Sequence, residues 1–199
     1  MLFQSRAKRL RKQALLLDME YHRRVGHEYF PHLQMFDLIL RKSYVRINHL
    51  LHHFDEEGCT ESAVFELYTR RGKRSYRQTV FYLISDYLWL PEFKLRPSGV
   101  GGHIQRWVGI PDIDFELYPR FSRRYKLTGE PEASTRYLMN DEVLTYFNAE
   151  PGWTMEGVKN HFVLYQRGKR QKVDAIPDFY RQGMALYQSF LRTGSKDYV

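Results

Sequence analysis

"AVFELYTRRGKRSYRQTVFYLI", residues 63–84, reads as two strands joined by a tight turn. Both halves are rich in Val, Phe, Tyr and Thr, side chains that suit a pleated, half-buried surface. Beyond Gly72 the alternation is regular. Tyr76, Gln78, Val80 and Tyr82 share one face, while Arg77, Thr79, Phe81 and Leu83 share the other. A glycine between the runs supplies the positive φ that hairpin turns demand.

Working outward, "SYVRINHLL" alternates in the same way and predicts a strand over 43–51. With 63–70, 75–84, 92–96, 122–128, 153–157 and 161–167 this gives seven strands, the last two forming a second hairpin that turns near Gly157 to Asn160. Helical periodicity predicts segments at 131–138, at 141–148 with Asn140 or Asp141 as its cap, and at 175–192. The last has Ile176, Phe179, Tyr180, Met184, Tyr187 and Leu191 on one stripe. At the other end of the chain, Phe3, Ala7, Leu10, Ala14, Leu17, Tyr21 and Val25 recur at spacings of four and three. They predict a helix over 4–29, ended by Gly26 and Pro31. The expectation is therefore an α+β fold: a basic amphipathic arm at 1–30, and a single domain at 31–199. That domain has an antiparallel or mixed sheet, two hairpins and a C-terminal amphipathic helix. The loop "SGVGGHIQRWVG" (98–109) and a loose tail, "GSKDYV", complete the reading.

Composition narrows the function classes. A 43% hydrophobic, 16% aromatic chain has enough apolar material for a globular core, which excludes general disorder. Its one cysteine, Cys59, excludes an internal disulfide and fits a reducing compartment. No run approaches the roughly 20 apolar residues of a membrane-spanning helix. "MLFQSRAKRLRKQALLL" lacks the apolar stretch and cleavage site of a secretory signal. A net charge of +8 favours an acidic partner: anionic lipid, nucleic acid or an acidic protein surface. Arg6, Lys8, Arg9, Arg11 and Lys12 crowd the start of the arm, against the helix dipole, so a contact other than helix stability is the natural explanation. They are the candidate residues for an anionic-surface contact.

Chemistry-bearing patterns point away from catalysis. "HLLHHFDEEGC" (49–59) gathers three histidines, three carboxylates and the cysteine. On a strand, however, His49 and His53 lie about 13 Å apart at roughly 3.3 Å per residue, too far for one ion. Glu56, Glu57 and Glu61 also discourage a Cys59 thiolate. In the glycine-rich loop, His103 and Ile104 stand where a phosphate-binding loop needs Lys and Ser or Thr. No metal, cofactor or catalytic residue is expected. Basic and aromatic residues interleave in "RFSRRYK" and "YTRRGKRSYR", a pattern compatible with nucleic acid.

In order, "VFELYTRRGKRSYRQTVFYL", "LPEFKLRP", "DIDFELYPRFSRRYKLTGEPEASTRYLMNDEVLTYF" and "PGWTMEGVKNHFVLYQRGKR" resemble a bacterial family of unknown function. Its members carry one or two transmembrane helices at the N-terminus, followed by a soluble α+β domain. The resemblance covers residues 43–192 and brings no assigned site residues. Where those relatives leave the membrane, this chain has its basic stretch. Two alternatives stay open: a membrane segment precedes it in the native protein, or attachment runs through a partner. The resemblance and the charge together imply a cytoplasmic, non-enzymatic interaction domain at the inner face of the membrane. It would act alone or as an accessory subunit of a membrane complex, with an anionic membrane surface or a membrane protein as partner. The alternatives are a soluble enzyme or small-ligand binder, and, last, nucleic-acid binding.

Overall fold

The computed structural model describes residues 5–99 and 109–193, so most of the glycine-rich loop, the tail and Phe3 lie outside the described residues. Eight strands form one sheet: β1 (Glu20–Val25), β2 (Tyr44–Phe54), β3 (Thr60–Arg71), β4 (Arg74–Ser85), β5 (Leu90–Pro97), β6 (Tyr125–Glu130), β7 (Thr154–Lys159) and β8 (His161–Tyr165). Their order is β1-β2-β3-β4-β8-β7-β5-β6, and every pairing is antiparallel. Among the described residues five α-helices accompany it: α1 (Arg6–Leu16), α2 (Pro119–Arg124), α3 (Glu132–Leu138), α4 (Asp141–Ala149) and α5 (Ile176–Arg192).

The 63–84 hairpin anchors this sheet. Arg71 faces Arg74 across a two-residue turn in which Gly72 takes φ 57°. Its alternation divides two cores. Phe81 and Leu83 join Leu51 and Val64 beneath α1 and α5; Val80 and Tyr82 join Ile47, Leu50 and Phe65 on the opposite face. That second face is covered without a long helix. Short 3-10 turns at His27–Tyr29 and Pro31–Met35 and the loop after them lay Phe30, Leu33, Phe36 and Leu38 on it. A buried polar pin holds the cover down. The Lys94 ammonium lies 3.0 Å from Asp37 and 3.3 Å from Glu156, and Glu156 also accepts from Tyr165 (2.6 Å) and from the Asp37 backbone N–H (2.6 Å).

The expected α+β domain with two hairpins is corrected. The antiparallel sheet dominates, and beyond the two hairpins it adds further adjacent pairs, including β1–β2 and β2–β3. The single helix over 4–29 is corrected too. It stops at Leu16, Asp18 enters the left-handed region at φ 53°, and residues 20–25 become the sheet's edge strand. A spacing of four, as from Leu17 to Tyr21 to Val25, recurs on one side of a helix and of a strand alike, so periodicity does not distinguish them. The strand expected at 122–128 begins only at Tyr125. Pro119, whose fixed φ suits a first helical turn, starts α2 instead.

Candidate anionic-surface interface

Ser5 caps α1 by accepting from the Lys8 backbone N–H (3.4 Å). Leu10 and Ala14, each 1% exposed, then seat the helix on the core. This orientation divides the five candidate basic residues. Arg6 turns inward, with its guanidinium on Glu66 and a hydrogen bond to the Gln171 carbonyl (2.8 Å). Arg9 pairs with Asp174 (2.7 Å), and Arg11 lies over the Tyr21 ring at 5.4 Å. Lys8 and Lys12 are exposed. The five therefore share a helix but not a direction.

At one turn every 3.6 residues, Lys8, Lys12 and Leu15 fall on one outward strip, with Leu16 beside it. Leu15 is 81% exposed and Leu16 67%. Single exposed leucines are common on protein surfaces; here two adjacent ones stand beside two outward lysines, an amphipathic patch. The sequence stripe identified the face that packs inward. The outer leucines lie off that stripe, and the run "ALLL" is the sequence signal that marks them.

Beside α1 an open groove of about 890 Å³ is lined by Tyr21, His22, Arg23, Arg24, Asn48 and His49. At its edge β2 bulges between Asn48 and Leu51, with His49 at φ 50°. Tyr21 Oη lies 2.7 Å from His49 Nδ1, and burial holds the His49 imidazole below its ordinary pKa. The other histidines of the 49–59 run point elsewhere. His52 Nε2 is 2.8 Å from Glu61, and His53 Nδ1 is 3.0 Å from the Asp18 carbonyl. Among the described residues no group of three or more His, Cys, Asp or Glu is arranged to hold a metal.

No helix among the described residues is long and apolar enough to cross a membrane. The membrane span that the family resemblance associates with the N-terminus has no counterpart among them. No family model matches the chain, and no curated protein does. Among solved structures the chain is similar to the crystal structure of the mycobacterial trehalose monomycolate transport factor A, TtfA. The TM-score is 0.64, at 13% identity, covering 94% of each chain. At that identity the likeness is one of fold.

Proposed function

We propose that this protein is a non-enzymatic interaction domain that sits on an anionic membrane surface, at its cytoplasmic face, as an accessory factor to a membrane process. The observation that carries the reading is the outward face of α1: Lys8 and Lys12 beside Leu15 and Leu16, on a helix whose other face is fixed to the core. A fold shared with a protein described as a mycobacterial trehalose monomycolate transport factor is compatible with that role.

The magnitudes are consistent with reversible attachment. Burying two leucines contributes about 1.5–3 kcal/mol each. Each lysine near an anionic leaflet adds about 1 kcal/mol. The gross total is comparable to one acyl chain, which alone gives marginal, reversible binding. Arg6 and Arg9, through Glu66 and Asp174, and Arg11, over the Tyr21 ring, support the contact by keeping the helix in place.

Co-sedimentation tests this. The protein should pellet with phosphatidylglycerol-containing vesicles and not with pure phosphatidylcholine, and Lys8→Gln/Lys12→Gln should release it. Equal pelleting with both vesicle types would sink the electrostatic part of the reading.

A further inference from the structure

Three segments distant in sequence meet at one end of the sheet: "RKSYVR" (41–46), "RRGKRSYR" (70–77) and "QRGKRQK" (166–172). They hold three, five and four Lys or Arg, twelve together, and no Asp or Glu. The meeting is fixed by hydrogen bonds. Ser43 N–H donates to the Arg70 carbonyl (2.9 Å), and Thr79 N–H donates to the Lys169 carbonyl (3.1 Å). Arg167 donates to Tyr76 Oη (3.2 Å) and lies over its ring at 4.9 Å.

Placing so much like charge together costs stability unless something offsets it. Lys42 registers the cost: burial, and then the Arg167 and Arg71 guanidinium groups, hold its ammonium below the usual lysine range. Glu66, a carboxylate bordering this end, is taken by Arg6 and by Arg170 at 3.5 Å. The aromatic rings bear on the partner's identity. Nucleic acid would use them as stacking platforms. Tyr68, however, already has Arg46 over its ring at 5.5 Å and Arg77 at 5.4 Å, and Tyr44 meets it edge-on. Guanidinium groups held on tyrosine rings still offer N–H donors to phosphate.

We infer that this end of the sheet is a second membrane contact, in which Arg71, Lys73, Arg74 and their neighbours bind the phosphate groups of anionic lipid. The inference rests on the membrane reading given to α1, and it supplies the second signal that one weak contact needs for stable attachment. The N-terminal end of α1 borders this end of the sheet. Arg6 of α1 donates to the Gln171 carbonyl, inside the third segment.

The test compares three proteins on phosphatidylcholine vesicles with and without phosphatidylglycerol: wild type, the turn variant Arg71→Gln/Lys73→Gln/Arg74→Gln, and the helix variant Leu15→Ser/Leu16→Ser. All substituted residues are exposed, and unchanged thermal melting confirms folding. The turn variant should lose at least about tenfold in partitioning onto the anionic vesicles, given the contribution of each cation near such a surface. If it binds like wild type while the helix variant is released, the second contact is overturned and the α1 reading stands. Release by neither variant overturns both. Tighter binding of wild type to a single-stranded oligonucleotide than to anionic vesicles at physiological salt also overturns the inference.

Discussion

Lys94 is the residue on which the covered face of the sheet depends. Its ammonium bridges Asp37, on the covering segment, to Glu156 on β7, and all three are nearly inaccessible. Lys94→Met leaves two carboxylates facing each other in a low-dielectric site, so it should cost about 3–5 kcal/mol, read as a drop in the urea midpoint. His161 offers a test of different sign. Its ring lies 4.6 Å from that of His32, with Nδ1 3.0 Å from Tyr82 Oη, and burial pushes its pKa down to about 4. The unfolded chain takes up that proton near pH 6.5, before the folded one does. Stability is therefore lost as pH falls from about 6.5 towards 4 and is unaffected by this group above that window. His161→Gln should remove the loss, so the variant should gain on wild type in urea midpoint as the buffer is acidified. Parallel pH profiles would refute the assignment.

Among the elements, α1 and α5 make the clearest claims. Leu10 is buried in the core beneath the helix, so Leu10→Ala should destabilise the whole fold by about 2–5 kcal/mol rather than merely loosen an arm. In α5, a Cβ on Gly183 would stand 2.5 Å from the Phe81 ring. Gly183→Ala should thus cost about 1–3 kcal/mol by pushing the helix off the sheet, measurable as a lower melting temperature. These elements also show what a sequence discloses. The 63–84 hairpin and α5 were legible because a strict period of two or 3.6 and a long apolar stripe leave one assignment. Residues 20–25 were not: their pairing is decided by β2, whose bulge at His49 has no local signature. Strand order was equally hidden, since β5 lies between β6 and β7 through contacts remote along the chain. Of the candidate interface, the basic residues of α1 were visible. Their division into inward and outward groups followed only from the packing of Leu10 and Ala14.

Over the whole molecule, charge is polarised along the strands. The turn "DEEGCTE" (55–61), with four carboxylates, lies at the opposite end of β2 and β3 from the acid-free segments at 41–46 and 70–77. Such a separation orients a protein as it approaches a negative surface. Attraction between exposed charges is screened beyond about 8 Å at physiological ionic strength, so vesicle binding should weaken as salt is raised. The most direct test of membrane contact reads which part of the molecule enters the interface. In a Cys59→Ser background, an environment-sensitive dye is attached at Leu16→Cys in one protein and at Glu56→Cys, on the acidic turn, in another. On phosphatidylglycerol vesicles the dye at position 16 should shift to the blue, and reverse in high salt, while the dye at position 56 stays in water. No shift at 16, or an equal shift at both positions, would contradict the account.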